Sequence, residues 1–463
     1  MILRETDATA QPWRWRYLPA ASLCVFFVCI SLLFLLGNTQ AYSAILWQLG
    51  VDPFSFPFLD AHGVLSTAEC HRYGIDVLAE NPCDVLGRTL DYSPFWLLTA
   101  KLGLATSWTQ FAGLGLDLLF LFWLFFLPTP RGWPEAIVLT LALFSSMVAL
   151  ALERANLDLA IFVIAIVAAH WAMRNTIWRV LSYALIMLGA LVKYYPGVLL
   201  VLAIRERLSL LTTLALATVG VTICFVVSEG DDLFRALSQI EIGPWITFSF
   251  GAQNLPRGVG AMAGHLHFDP RFAAMSVELA LAAAAVLGAV TIASLEELQD
   301  GLDLLPERTR VFLLAGCALI VACFFAAQNA PYRGIYFLFI LPGITTLWRA
   351  PISRTARHRF MLTGACILFL MWSQFLERAQ GEILGASDAP KSTTIITHIG
   401  FWLLREIVWW WVIAILLSLL LCLIYRSRSG QQLLRLFLSA EKLAALQLQS
   451  SRRRVAGQRA GRL

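Results

Sequence analysis

Apolar runs long enough to cross a bilayer recur along the whole chain, and that recurrence leaves little choice of fold. A helix needs roughly 20 apolar residues to span the hydrocarbon. Such stretches fall near residues 17–37, 108–127, 134–152, 157–173, 178–204, 208–228, 271–295, 310–327, 332–348, 360–376 and 400–425. The composition agrees: 59% of the 463 residues are hydrophobic and 14% are charged, where a soluble protein carries about 25% charged residues. The expected fold is all-α, a polytopic membrane protein with about 10–12 transmembrane helices. Its sizeable polar segments are 40–92, 229–270, 296–309, 377–399 and the tail after Tyr425. Residues 1–425 read as a single polytopic membrane domain, with a long external loop 40–107 after the first helix, and 426–463 as a basic cytoplasmic tail.

Lysine and arginine placement sets the expected orientation. Arg4, Arg14 and Arg16 precede the first stretch, and Arg349, Arg354, Arg357 and Arg359 follow the ninth. The tail holds nine basic residues and one acidic residue. All three segments read as cytoplasmic. Loop 40–107 carries Asp52, Asp60, Glu69, Asp76, Glu80, Asp84 and Asp91 against Arg72, Arg88 and Lys101, and reads as external. Both termini inside require an even number of crossings, whereas the stretches number eleven. The conflict localises to 178–204, where a single crossing would place Arg205 and Arg207 outside. A broken hairpin, split at Lys193-Tyr194-Tyr195-Pro196, resolves it, because broken backbone is tolerated where it lines a protein cavity; a single kinked span with another segment miscounted is the alternative.

The first stretch is longer than the core of a signal peptide and reads as an uncleaved anchor, although Ala41-Tyr42-Ser43 offers small residues at a cleavage spacing. Most cysteines lie within spans, as small hydrophobes. Cys70 and Cys83 are the pair in the external loop, and an oxidising compartment favours a disulfide between them. No CxxC or HExxH spacing points to a metal. The tail predicts a short amphipathic surface helix over 431–448 on the anionic inner leaflet, with disorder after Ser450.

The candidate chemistry lies at the rim. Asp60 follows Phe54, Phe56, Phe58 and Leu59, and a carboxylate among such neighbours near lipid suits a proton acceptor. Asp also favours helix starts, so Asp60 could equally cap a helix. Pro and Gly divide the loop into pieces, with interfacial helices expected over Ala61–Ala68 and Ile75–Glu80. At 153–158, Glu153-Arg154-Ala155-Asn156-Leu157-Asp158 joins two apolar stretches almost without a loop. These groups must pair with one another or with a ligand. Lys193 stands alone among lysines inside an apolar stretch, so it needs a lipid phosphate or a buried carboxylate. Gln328-Asn329-Ala330-Pro331-Tyr332-Arg333 forms another short external turn, where Arg333 offers a forked phosphate donor. Arg257, in the GAQNLPRGVG segment, is a further candidate. His265 and His267, without a third ligand nearby, read as loop residues or sugar contacts.

These pieces together resemble the C-type glycosyltransferases, and more closely glycosyltransferase family 87, which includes polyprenol-phosphate-mannose-dependent mannosyltransferases. The resemblance covers roughly residues 17–345. It rests on Asp60 after the first span, Tyr92-Ser93-Pro94 where the family often has Tyr-Pro-Pro, ERANLDLAIF at 153–162, Lys193-Tyr194-Tyr195-Pro196, and QNAPYRGIYFLFILPG at 328–343. The chain departs at Ser93 and lacks a histidine near 328–333, where some relatives carry one.

The resemblance implies a bacterial inner (plasma) membrane enzyme using a polyprenyl-phosphate sugar donor and a lipid or glycan acceptor at the outer face, with no cofactor, metal or nucleic acid. It implies Asp60 as catalytic base, Arg333, Lys193 and Arg154 beside the donor phosphate, and Glu153, Asn156, Tyr92, Asn329 and Arg257 as further substrate-binding candidates. Two rivals stand beside it: a lipid-linked saccharide flippase or transporter, and an O-antigen polymerase or ligase-type membrane protein.

Overall fold

The computed structural model describes residues 14–240, 243, 249–386 and 391–437. Helices make up the architecture, and among the described residues the β-type pairing is one isolated bridge, Phe250 with Asn329. Among the described residues, seven helices are long and apolar enough to cross a membrane: Trp15–Leu35, Thr106–Leu124, Thr176–Lys193, Leu208–Ser238, Pro270–Ala293, Glu307–Ala326 and Ile395–Arg426. Trp133–Leu143 with Ser146–Arg154, bent by 46°, and Arg354–Met371 with Ser373–Leu384, bent by 64°, raise the number to as many as nine. Asp158–Ala172 and Tyr195–Arg205 are shorter apolar helices, and Phe337–Arg349 is buried over most of its length. This is a multi-pass membrane protein. Leu208–Ser238 and Pro270–Ala293 leave apolar side chains such as Val227 and Leu287 exposed, as helices facing lipid do.

The polar segments of the sequence are more helical than hydropathy suggested. Glu296–Asp303, Ser373–Ala386 and Asn254–His265 are helices. Their polar residues sit at the ends of the bundle, where helices need no apolar run. In the first loop Thr39–Gln48 and Leu59–Arg72 are α-helices and Pro94–Leu102 is a 3-10 helix; Leu59–Arg72 is longer than the expected Ala61–Ala68. The expected helix over Ile75–Glu80 does not form. Its backbone makes a single turn, with Ala79 and Glu80 N–H both bonded to the Asp76 carbonyl. Gly74 before it and the Cys70–Cys83 disulfide around it leave no room for a second turn. The disulfide is the one expected from the loop's cysteine pair, and it closes a sequence separation of 13 residues.

The stretch 178–204 breaks where the sequence places a break. Thr176–Lys193 ends at Tyr194, and a 3-10 helix, Tyr195–Arg205, runs back. At its far end Glu206 accepts from Arg179 Nε (2.5 Å) and from Tyr183 Oη (2.9 Å), both in the first turns of Thr176–Lys193. Both ends of the segment therefore lie at one level, and the hairpin reading holds.

The bundle has two distinct ends. At one, Trp15 meets Trp133, Arg349 reaches Glu135 (3.4 Å), Arg308 donates to the Phe126 carbonyl (2.8 Å), and Arg426 bonds Asp303. The three basic segments thus converge on one side, as far as the described residues reach. Arg4 and the tail beyond Phe437, including most of 431–448, lie outside them. At the other end sits the acidic loop with Asp60. Between the ends runs one apolar core from Ala20 to Cys422.

Candidate functional site

Two short reversals build the site. The helix Ser146–Arg154 ends at Ala155, which is fully buried with a left-handed φ of 43°. The helix Leu59–Arg72 starts after Phe58, also left-handed at φ 72°. Non-glycine residues rarely take this region, and each such residue stores on the order of 1–3 kcal/mol. The two pack together: Phe58 and Ala155 share one cluster with Ala61, and Phe58 N–H donates to the Glu153 carbonyl (2.7 Å). A glycine across the way makes room, because a Cβ on Gly113 would stand 2.2 Å from the Phe58 ring. The outcome is that Asp60, two residues past Phe58, and Asn156, the residue after Ala155, face each other.

Asp60 is not the cap of its helix. It occupies the first turn behind Phe58, and its two oxygens reach outward. Asn156 Nδ2 donates to Oδ2 (2.6 Å) and Arg88 Nη1 to Oδ1 (3.2 Å). The apolar surroundings expected from Phe54 and Phe56 are replaced by polar partners. The side chain stays 13% exposed. Arg88 is itself gripped by Asp84 through two bonds of 3.0 Å and donates to the Leu59 carbonyl (2.8 Å). Burial alone would raise the Asp84 carboxyl. The side-chain and backbone N–H groups of Arg88, with Leu86 N–H, outweigh it and hold that carboxyl below its ordinary range.

Asn156 is fully buried and carries the connection inward. Its Oδ1 accepts from Lys193 Nζ (3.1 Å) and from Asp158 N–H (2.9 Å), an Asx-type turn that also starts the next helix. Lys193 ion-pairs with Asp158 (2.9 Å) and lies over the Tyr92 ring at 5.2 Å. The buried carboxylate that the sequence offers as a partner for Lys193 is thus Asp158. Arg333 Nε stands 3.4 Å from the other oxygen of Asp158, and its Nη1 donates to Asn329 Oδ1. Tyr195 Oη bonds Asp158 and Tyr336 Oη. Asn329 is anchored by the backbone bridge to Phe250 and by donation to the Cys323 and Ala327 carbonyls.

The structure therefore joins Asp60, Asn156, Lys193, Arg333 and Asn329 in one bonded chain, with Tyr92 beneath Lys193. Glu153 and Arg154 pair with each other beside it (3.0 Å), and Glu153 Oε1 accepts from Phe54 N–H (3.2 Å). Arg154 thus faces Glu153 rather than the Lys193–Arg333 side. Arg257 is not brought in. It lies half-buried on Asn254–His265, and none of the described residues bonds its guanidinium. The segment around it, which the sequence read as loop, is a helix. His265 and His267 are exposed, and no group of three His, Cys, Asp or Glu among the described residues could hold a metal.

Three residues central to the geometry escaped the sequence reading of the site. Asp158 is its hub, yet it counted only as the last charge of a polar segment. Arg88 holds Asp60 across 28 positions, a distance only the folded loop closes. Asp91 stands in the field of Lys193 and Arg88, and it had counted only toward the loop's acidity. The tyrosine run before Pro196 was the one available signal for Tyr195.

Chemically the site offers a carboxylate at a polar rim and, one amide away, two cations sharing a single buried carboxylate. Compared with protein-family models, curated proteins and solved structures, the chain matches none.

Proposed function

We propose that the protein is a membrane glycosyltransferase: it moves a hexose, mannose-like, from a polyprenyl-phosphate donor to a lipid or glycan acceptor, inverting the anomeric centre with Asp60 as base. The observation that carries this reading is the bonded chain from Asp60 through Asn156 to Lys193, Asp158 and Arg333. It sets a proton acceptor and a phosphate-compatible charge at one end of a membrane bundle.

A carboxylate has about four acceptor positions. Asp60 uses one on each oxygen, so room remains for an acceptor hydroxyl. That hydroxyl gives its proton to Asp60 as its oxygen bonds the anomeric carbon. The bond from that carbon to the phosphate oxygen breaks, and the pair of electrons leaves with polyprenyl phosphate. Lys193 and Arg333 share one Asp158, so the trio carries one net positive charge. That charge suits the phosphodiester of the donor and gains strength as negative charge develops on the leaving oxygen. Arg88 and Asn156 fix where the Asp60 oxygens point.

The test is transfer by purified protein in nanodiscs given polyprenyl-phosphate hexose. Asp60→Asn should lower turnover by about 10²–10⁴-fold, the usual contribution of a general base, with donor binding unchanged within about threefold. Full activity of that variant would end the reading. Asp117 favours a second one. It is fully buried in the span Thr106–Leu124, and neither oxygen has a hydrogen-bond partner among the described residues, as in a flippase whose ionisable groups lie along a path at membrane depth. Transport of lipid-linked sugar that Asp117→Asn abolishes and Asp60→Asn leaves intact would select it.

A further inference from the structure

Asp91 takes no part in the bonded chain from Asp60 to Arg333, although the backbone around it is pinned to the site. Leu90 N–H donates to the Val77 carbonyl (2.9 Å), and the Leu90 side chain packs in the cluster around the Cys70–Cys83 bridge. Tyr92 follows beside Lys193, whose Nζ lies 5.2 Å from its ring centre, and Trp96 Nε1 donates to the Val192 carbonyl (3.1 Å). Between these fixed points the Asp91 side chain is exposed, and none of the described residues bonds or ion-pairs its carboxylate. It does not face bulk water, however. Enough protein surrounds it to push its carboxyl up, and Lys193, Arg88 and Asp60 are within electrostatic reach. A side chain that is both accessible and enclosed lines a cleft, and the groups around this one are those of the site.

Tyr332 joins the same cleft from another segment. It precedes Arg333 in the 3-10 helix Pro331–Tyr336 and is half-buried against the core. Its hydroxyl bonds none of the described residues, and Asp60, Arg333, Asp158 and Asp91 are within electrostatic reach. The Tyr92 hydroxyl is likewise unbonded, with Tyr332, Asp60 and Asp91 around it. These three residues therefore stand near both ends of the site, the carboxylate of Asp60 and the cations on Asp158. What they lack is hydrogen-bond donors. A carboxylate has about four acceptor positions, and those of Asp91 are all open. Phosphate diesters and hydrocarbon bring no donor to them, whereas sugar hydroxyls do. The two phenols add further hydroxyl partners, and their rings offer apolar faces to the C–H groups of a sugar.

We infer that Asp91, with Tyr92 and Tyr332, binds the hydroxyls of the donor's sugar ring, and that the Asp91 carboxylate accepts from two neighbouring ones. The word donor rests on the glycosyltransferase reading; the sugar site does not. In that reading the anomeric carbon is joined to a phosphate held by Lys193 and Arg333 and is attacked by a hydroxyl held at Asp60. The sugar ring must then lie between the two, and the groups that recognise it must reach that space. Asp91 and Tyr332 do so from segments far apart in the chain. In the unloaded protein water fills the acceptor positions of Asp91; the sugar hydroxyls replace it.

The experiment measures binding to the full chain in nanodiscs. The ligands are polyprenyl-phosphate mannose, glucose and galactose, and methyl polyprenyl phosphate, which keeps the charged diester and lacks the sugar. The wild type should bind the best hexose about 10–100-fold more tightly than the methyl diester, as hydrogen bonds to a charged group imply. Deoxy analogues of that hexose, lacking one hydroxyl at a time, should lose most of the gain at two neighbouring positions. Asp91→Ala should lose the gain and treat those analogues like the parent sugar, while binding the methyl diester within about threefold of wild type as a check on folding. If it loses the methyl diester too, the same comparison with Asp91→Asn, which keeps the shape, decides. Tyr332→Phe, which keeps the ring, should weaken hexose binding by about 2–10-fold. Equal binding of hexose and methyl diesters by the wild type, or unchanged discrimination among deoxy analogues in the Asp91 variant, would overturn the inference. Wild-type transfer and hexose affinity in Asp91→Ala would overturn it and leave the transferase standing. Sugar-dependent binding that Asp91→Ala removes, with no transfer by the wild-type protein, would instead overturn the transferase and leave the sugar site.

Discussion

Lys193 Nζ lies 2.9 Å from Asp158 Oδ1, deep in the bundle, and Arg333 holds the other oxygen of the same carboxylate. Three charges buried together are stable only as a set. Taking an ion out of water is unfavourable by several kcal/mol, and only excellent geometry repays it. Here Tyr195 and Asn156 complete the bonding.

Removing the shared carboxylate should therefore destabilise the protein sharply. Asp158→Asn is expected to lower unfolding free energy by about 3–5 kcal/mol, the range for breaking a buried pair. Asp158→Asn with Lys193→Met should recover at least about 1 kcal/mol of that loss, since the residues touch and their effects couple. Denaturant unfolding in detergent micelles measures both.

Acid should loosen the loop that positions Asp60. The folded Asp84 carboxyl titrates below its unfolded value of about 3.9, because Arg88 outweighs burial. A depressed carboxyl stabilises the folded state above its unfolded value, and that stability is lost as pH falls through the folded one. Glu69, held down mainly by Thr106 N–H, acts in the same direction. Burial also holds the His62 imidazole below its ordinary range, so amide protection over 59–92, corrected for intrinsic exchange, should begin to decline as pH falls below about 6.5 and fall further below about pH 4. Asp84→Asn should weaken protection at neutral pH and flatten the acid response to the share left by Glu69 and His62.

The Cys70–Cys83 bond anchors the same loop. Converting both to serine should destabilise the protein by about 3 kcal/mol, as expected for a closed loop of this length. Transfer activity should fall with it, because Asp84 and Arg88 directly follow the bridge. Thermal unfolding and turnover of the double variant, against wild type under non-reducing conditions, read out both effects.

Sidedness follows from the two ends of the bundle. An impermeant maleimide applied to intact cells should reach Asp76→Cys and should miss Arg354→Cys and Arg207→Cys. Labelling at Arg207→Cys without labelling at Arg354→Cys would show that Thr176–Arg205 crosses once instead of returning. Labelling of Arg354→Cys alone would place Asp60 in the cytoplasm.

Taken by itself, the sequence determined the membrane class, the break at Lys193–Pro196, the disulfide partners, and that Lys193 and the charges at 153–158 need partners. Each is a local matter. Apolar length decides whether a helix can span, a proline marks where a helix must stop, and two cysteines in one loop have few alternatives. Tertiary structure alone decided how the charges pair. Lys193 was legible as needing a partner, but its pairing with Asp158 depends on a hairpin folding back against the start of another helix. Arg88 reaches Asp60 from a loop tied down by a disulfide, whereas Arg257 lies on the helix Asn254–His265, where none of the described residues bonds it. The cleft at Asp91 was equally hidden, since Tyr92 and Tyr332, which share it, lie far apart in the chain. Pairing energy depends on distances of a few ångströms between segments far apart in the chain, and nothing in local pattern or composition fixes those distances.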